Sequence, residues 1–290
     1  MPSPADQCYS RLRFPICLRP LPMYPFTYQR AATLEDALAP LLNDPEARAL
    51  AGGMTLLPTM KMRLAAPTQL IDIARLPELR GIQIEADAVT VGAAQRHVEV
   101  ATDPALRAAL PALAELAGLI GDPQVRARGT LGGSVANNDP AADYPAAVLG
   151  LDGTVITNRR SIPAAAFFQG MFATALEPGE LIRAVRFARP KRAAYAKFAQ
   201  AASGYAMTGV MVAQFDHGVR VAVTGAGPGV FRWTQAEQAL AARMAPEALD
   251  ALTFDASGLN TDLHASAEYR AHLVGVMTRQ AVTQLAGSAR

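Results

Sequence analysis

Arg128-Gly-Thr-Leu-Gly-Gly-Ser-Val-Ala-Asn-Asn-Asp-Pro-Ala-Ala-Asp143 is the stretch on which the reading of this chain turns. It holds three glycines, two hydroxyl residues, two asparagines and two aspartates, and few side chains able to fill a core. Gly129, Gly132 and Gly133 are expected to take positive φ and to let the backbone approach a ligand closely. Turn N–H groups would then converge on an anion such as a pyrophosphate. Thr130, Ser134, Asn137 and Asn138 add neutral hydrogen-bonding groups, and Asp143 can accept from a hydroxyl or an amine. The segment matches neither Gly-x-Gly-x-x-Gly nor a phosphate loop ending in Gly-Lys-Ser/Thr, which excludes a Rossmann or P-loop reading.

A second segment echoes the first: Leu50-Ala-Gly-Gly-Met-Thr-Leu-Leu57. Alone, a Gly-Gly pair between a strand and a helix is a weak signal, more often a plain tight turn. Two such segments, each with a nearby threonine, point to one elongated cofactor held at two places.

Composition narrows the classes. The 290 residues suffice for more than one compact unit, and a 51% hydrophobic, 18% charged composition argues against disorder. A formal net charge of +2 without Lys/Arg runs gives no nucleic-acid footprint. The only two cysteines, Cys8 and Cys17, lie in the N-terminal extension, and the four histidines are scattered. A zinc site or iron–sulfur cluster within this chain is therefore not expected. Apolar runs break well short of the ~20 residues of a membrane span. A body without cysteine is compatible with a cytoplasmic location.

Along the chain, Thr33 with Asp36 reads as a capping box opening a helix to Leu42. Arg48–Ala51 and Gln69–Ile73 read as strands and Leu56–Leu64 as a helix. Gly81–Gly92 alternates as a hairpin around Asp87. His97–Ala101, Pro104–Leu119 and Pro140–Leu149 read as helices, Gly153–Thr157 and Leu181–Phe187 as strands. Tyr195–Phe198, Val210–Phe215 and Val219–Ala226 are strands, with Asp216-His-Gly218 as a hairpin turn. Thr234–Ala242, Pro246–Thr253 and Ser266–Leu285 close the chain as helices. The expected division is an extension over 1–22, with the start left open between Met1 and Met23, then units over 23–76, 77–189 and 190–290.

Five segments, in order, give a more specific signal than any one of them. They are Ala51–Leu57, Asp122-Pro-Gln-Val-Arg126, Gly129–Ser134, Asn137-Asn-Asp-Pro140 with Asp143, and Lys197-Phe198 with Ser203-Gly-Tyr205. In these the chain resembles the flavin-binding medium subunit of the molybdenum hydroxylases, a group that includes the flavoprotein subunit of aerobic carbon monoxide dehydrogenase and the flavin domain of xanthine dehydrogenase. The resemblance runs from Met23 to about Leu285.

It implies an α+β protein: a two-subdomain FAD-binding fold of the vanillyl-alcohol-oxidase (PCMH) type, followed by a C-terminal antiparallel sheet with helices. It implies FAD contacts from Leu50, Ala51, Gly52, Gly53, Met54, Thr55, Leu56 and Leu57 in one loop. Thr130, Leu131, Gly132, Gly133 and Ser134, with Asn137, form the other. Asp143 matches a carboxylate that binds the flavin nucleotide, Lys197 a basic contact, and Ile120 and Ile182 apolar contacts. Tyr205 matches a residue close to the isoalloxazine ring, with a role in electron transfer. Residue by residue, plainer readings stand beside these: core packing for Ile120 and Ile182, a solvated strand position for Lys197, an amphipathic core tyrosine for Tyr205. Met54 and Ser134 depart from the His or Asn, and the Asn, common at those positions.

The resemblance further implies a molybdenum–pterin large subunit and a small subunit with [2Fe-2S] clusters, in a dimer of heterotrimers, with no nucleic acid and no membrane span. The substrate, whether carbon monoxide, an aldehyde, a purine or another N-heterocycle, would be chosen on the large subunit. Two other readings are carried: a stand-alone FAD-dependent oxidase of the same fold, and a cofactor-free assembly subunit. Neither glycine segment holds a His or Cys for a covalent flavin link. His97 and His217 lack triad partners nearby in sequence, so surface or capping roles are expected of them. Asp139 and Asp143 suit ligand hydrogen bonding better than acid–base work.

Overall fold

The computed structural model describes residues 23–287, so the N-terminal extension and its two cysteines lie outside the described residues. Three sheets carry the fold. The first is a parallel, three-stranded sheet of order β1-β3-β2, formed by β1 (Thr27–Arg30), β2 (Arg48–Leu50) and β3 (Gln69–Asp72). Helix α1 (Leu34–Asn43) crosses between β1 and β2, and α2 (Leu56–Lys61) between β2 and β3. The predicted capping box on α1 is present, with Thr33 and Asp36 bonding each other's backbone N–H reciprocally.

The second sheet is antiparallel, of order β4-β5-β10-β6-β7. Its hairpin β4 (Ile82–Ile84) and β5 (Ala88–Gly92) is the one read from alternation. Six helices follow: α3 (His97–Thr102), α4 (Pro104–Ala109), α5 (Pro111–Gly118), α6 (Pro123–Arg128), α7 (Leu131–Asn137) and α8 (Tyr144–Gly150). Then come β6 (Thr154–Thr157), β7 (Ser161–Pro163), α9 (Ala164–Phe167), the small hairpin β8 (Phe168–Gly170) and β9 (Ala173–Thr174), and β10 (Ile182–Ala188). The single helix expected over Pro104–Leu119 is two, because Pro111 cannot continue α4 and starts α5 instead.

The larger correction concerns the glycine-rich stretch, expected as a turn. Leu131–Asn137 is helical, capped by the Thr130 hydroxyl on the Gly133 N–H, and it ends at Asn138 in the left-handed region at φ 45°. Gly129, Gly132 and Gly133 do not have positive φ; of the glycines in the two segments only Gly53 does, at 72°. The helix expected from Pro140 starts at Tyr144. Residues 139–142 instead form a loop whose carbonyls accept from the third sheet: Gly225 N–H and the Thr224 hydroxyl bond Pro140 O, and Ala206 N–H bonds Ala141 O.

The third sheet is antiparallel, β11 (Arg192–Ala199), β12 (Ala206–Phe215), β13 (Gly218–Thr224) and β14 (Phe231–Arg232) in that order. Its hairpin turn at Asp216-His217 falls where the sequence places it. Helices α10 (Thr234–Ala242) and α11 (Ala267–Gly287) cover one face, and the helix expected over Pro246–Thr253 is a single 3-10 turn at Pro246–Leu249. The strands alternate as a two-sided sheet requires. Met211, Ala213 and Ala222 join the core with α8, while Val210, Val212, Val221 and Val223 join the core under α10 and α11. Helix α8 is buried at all seven positions, as an all-round apolar helix between two sheets must be. It ties the second sheet to the third and fixes the place of Asp143 at its start.

The turn before β10 is held by a buried acid. Glu180 accepts from Arg160, from the Thr157 hydroxyl and from the Glu177 N–H. Arg160 above all lowers the Glu180 carboxyl from the ordinary 4.5 to about 2. A depressed folded value adds stability above the unfolded value, and that stability is lost as pH falls through the folded one. The stability gap between wild type and Glu180→Gln should therefore be full above pH 4.5 and shrink toward zero near pH 2. Urea titrations at several pH values read this gap; a pH-independent difference would refute the assignment.

Candidate functional site

A cavity of about 500 Å³ opens between the first sheet's Gly-Gly loop and the second unit, with the loop before β12 at its edge. This is in the range of small-molecule and cofactor sites. Its floor is a meeting of backbones. A Cβ on Gly52 would stand 2.1 Å from the Arg128 carbonyl oxygen and 2.8 Å from the Gly129 Cα. A Cβ on Gly129 would stand 2.5 Å from His97 Nε2, and one on Gly132 2.5 Å from the Ala93 Cβ. Real side chains do not fit there, so these glycines serve close packing rather than unusual dihedrals. Gly133 differs: a Cβ there would meet only the Thr130 hydroxyl, at 2.9 Å, and it lines the cavity.

The two segments offer unequal hydrogen-bonding capacity. In the second, the N–H groups of Leu131 and Gly132 bond Gln95 O and Ala93 O, and those of Gly133 and Ser134 bond the Thr130 hydroxyl and carbonyl. In the first, no acceptor within the described residues takes the N–H groups of Ala51, Gly52, Gly53, Met54 or Thr55. Gly53 in the left-handed region between neighbours of negative φ gives the backbone of an anion-binding nest. This set of open donors fits a pyrophosphate.

Of the residues expected from sequence, the cavity wall brings together Leu50, Ala51, Gly52, Gly53, Met54, Thr55 and Leu56 with Thr130, Gly132, Gly133, Ser134 and Asn137. Ile120, Asp143, Ile182 and Tyr205 line it too. Leu57 and Leu131 do not; Leu131 is fully buried in the core of the second unit. Lys197 is also absent from the wall. It sits behind Asp143, with Nζ 2.9 Å from Oδ1 and 3.0 Å from Oδ2, and 3.0 Å from the Leu119 carbonyl oxygen. Both side chains are almost wholly buried, so the reading of Lys197 as a solvated strand residue fails. Burial pushes the Asp143 carboxyl above the usual carboxylate range, while Lys197 and Tyr195 pull against that shift.

Sequence reasoning missed His97, expected at the surface or as a cap. It is 4% exposed, lines the cavity, and leaves Nδ1 without a partner. Burial and the Arg126 charge lower its value to about 4, so the ring is neutral. Tyr205 is half-exposed, and its hydroxyl is shifted up by burial and by the charges of Asp139 and Asp143. It enters on the Ser203-Gly204-Tyr205 turn, where a Cβ on Gly204, at φ 72°, would stand 3.3 Å from the Gly121 Cα. That contact brings the third sheet over the cavity.

Open backbone donors, two glycine segments in backbone contact and a wall of mixed polarity define an α+β protein that binds a dinucleotide-type cofactor. The chain belongs to the family described as the FAD-binding domain in molybdopterin dehydrogenase, which matches residues 24–190; residues 187–285 match the carbon monoxide dehydrogenase flavoprotein C-terminal domain. The carbon monoxide dehydrogenase medium chain of Hydrogenophaga pseudoflava is 36% identical over 275 residues, covering 89% of this chain and 96% of that one. The nicotine 6-hydroxylase medium subunit of Paenarthrobacter nicotinovorans is 35% identical over 271 residues, with 89% and 96% covered. A solved structure of the Hydrogenophaga pseudoflava enzyme lacking the Mo-pyranopterin moiety aligns with a TM-score of 0.84 and 34% identity over 92% of this chain and 99% of that one. The chain is thus an FAD-binding oxidoreductase subunit with the α+β architecture expected from its sequence.

Gly52→Ala tests the floor of the cavity. Its Cβ meets fixed backbone rather than a side-chain end, so stability should fall by about 1–3 kcal/mol, the usual cost of overpacking. An unchanged urea midpoint would show that the two segments are not pressed together there.

Proposed function

We propose that this chain is the FAD-binding electron-transfer subunit of a heteromeric molybdenum hydroxylase, passing electrons from iron–sulfur clusters on a partner to an external acceptor. The observation that carries this reading is the row of open N–H groups from Ala51 to Thr55, on a loop that lines one cavity together with Gly133. Bound FAD supplies the redox chemistry, as cofactors do, while the protein binds and orients it. Near-complete coverage of relatives named as medium chains and medium subunits supports partners of two further kinds. These are a large subunit with the molybdenum–pterin cofactor and a small one with [2Fe-2S] clusters, arranged as a dimer of heterotrimers.

The chain's own residues divide the work. Ala51–Thr55 would hold the pyrophosphate by backbone N–H groups, with Leu50 and Leu56 lining the cavity beside them. Thr130, Ser134 and Asn137 would bond the sugar and ribityl hydroxyls, and Gly133 would leave the room. Asp143 would accept one hydrogen bond from the nucleotide, with Lys197 behind it. Ile120 and Ile182 would supply apolar walls that keep water from the ring, and Tyr205 would cover its exposed side. Leu57 and Leu131 would act by shaping these loops. The division into units over 23–76, 77–189 and 190–290 belongs to this reading. So does a cytoplasmic site of action; no described helix is long and apolar enough to cross a membrane. Exposed Leu119, next to the cavity-lining Ile120, supports a docking surface for another subunit.

Purified chain, alone or with its partners, should carry one non-covalent FAD, read from its visible spectrum and from the cofactor released by acid. Gly133→Val should fold but lose most of that FAD, because a branched side chain would fill the space between the two segments. FAD content equal to wild type in that variant would remove this position from the site.

A further inference from the structure

Asp143 does not stand alone at the cavity wall. Tyr195, on β11, donates its hydroxyl to Asp143 Oδ1 at 2.6 Å. Tyr195 and Lys197 are two residues apart on one strand, so both point to the same face, toward the start of α8. The Tyr195 ring is buried in the core that contains α8, at 3% exposure, and is absent from the cavity wall. Gly209 pairs with Lys197 across the β11–β12 ladder. A Cβ there would lie 2.1 Å from the Tyr195 hydroxyl oxygen and 2.9 Å from Cζ. The hydroxyl occupies space that only a glycine on β12 leaves.

The hydrogen-bond count is specific. A carboxylate offers about four acceptor sites, two on each oxygen. Oδ1 takes Tyr195 and Lys197, and Oδ2 takes Lys197. Asp143 makes no side-chain cap on α8. Among side chains Oδ2 takes only Lys197, and Asp143 lines the cavity, so Oδ2 is the oxygen open to a donor there. Without Tyr195, the Lys197 ammonium alone bridges both oxygens, and the carboxylate can turn about its Cβ–Cγ bond.

We propose that Tyr195, in the space left by Gly209, is a positioning residue that fixes the rotation of the Asp143 carboxylate so that one Oδ2 lone pair faces the flavin nucleotide. This rests on Asp143 being a flavin contact. The Tyr195 hydroxyl is suited to the task because burial and the Asp143 charge raise it well above its ordinary value. It stays a neutral donor wherever the protein is folded.

The experiment is a double-mutant cycle on FAD affinity, measured by flavin fluorescence quenching with the full chain, below the melting temperature of every variant. Tyr195→Phe should keep one FAD at saturation but weaken its Kd about tenfold, the scale of one lost hydrogen bond to a charged group. Asp143→Asn should weaken Kd as well. In the Asp143→Asn background, Tyr195→Phe should change Kd less than twofold, because the group through which it acts is gone. A merely structural tyrosine would give the same loss in both backgrounds, and that additivity overturns the proposal. Unchanged affinity in Tyr195→Phe, with a loss in Asp143→Asn, overturns the positioning role and leaves Asp143 as a flavin contact. Unchanged affinity in Asp143→Asn overturns both. Should Tyr195→Phe not fold, Gly209→Ala, which keeps the ring and drives the hydroxyl off the carboxylate, is expected to reproduce its Kd loss; wild-type affinity there overturns the proposal.

Discussion

The cavity depends on backbone meeting backbone. Gly52 lies against the carbonyl of Arg128, and Gly129 and Gly132 lie against His97 and Ala93 at distances no Cβ tolerates. Each contact excludes side chains, so each is specified by a missing atom. Together they press the first sheet's loop onto the second unit and bring the β5 edge, the start of α3 and the start of α7 to one place. An Arg96–Thr130 bridge and the bond from His97 N–H to Gly129 O continue this seam. Widening it at Gly52 would separate the two segments that form the site.

A second constraint comes from the third sheet. Helix α8 is apolar on all sides and has no solvent face, so it cannot exist unless β12 and β13 cover it. Its first residue follows Asp143, which is therefore carried into the interior. A buried carboxylate is tolerable only when its oxygens are hydrogen-bonded and its charge is paired. Tyr195 and Lys197 meet that need from one face of β11. Core packing thus delivers an acid to the cavity wall, and the strand that encloses the core supplies the groups that keep it there.

Much of this was legible in the sequence, because it is local. Alternation gave the hairpins at Asp87 and at Asp216-His217, and the Thr33/Asp36 box gave the start of α1. The site residues that glycine spacing and resemblance suggested largely share one cavity. What escaped is long-range. Helix α7 was hidden by Gly132 and Gly133, poor helix formers whose helix exists through the Thr130 cap and the burial of Leu131 and Val135. Lys197 finds Asp143 across 54 residues of sequence, and nothing local announces an ion pair. A signal was present even so: Tyr195 and Lys197 share a strand face in a stretch otherwise made of alanine and phenylalanine. His97 gave no local signal, since its burial follows from Gly129, far along the chain.

The structure also changes what the glycines mean. Two Gly-Gly pairs suggest two equivalent anion-binding turns, yet only one has donors to give. The start of α7 spends its N–H groups on Ala93, Gln95 and Thr130. A ligand there meets side-chain hydroxyls and the bare Cα of Gly133. The Ala51–Thr55 loop spends none of its N–H groups within the described residues. Unpaired donors cost stability when shut away from water, so a loop that keeps five of them must be open to solvent or satisfied by a ligand. On the proposed reading, the negative charge of the cofactor would sit with the first segment and its hydroxyl-bearing part with the second. That polarity would orient it in the cavity. It also explains how the second segment can be helical and internally capped without losing its place in the site: its task is to leave room, and a glycine inside a helix does that as well as a glycine in a turn.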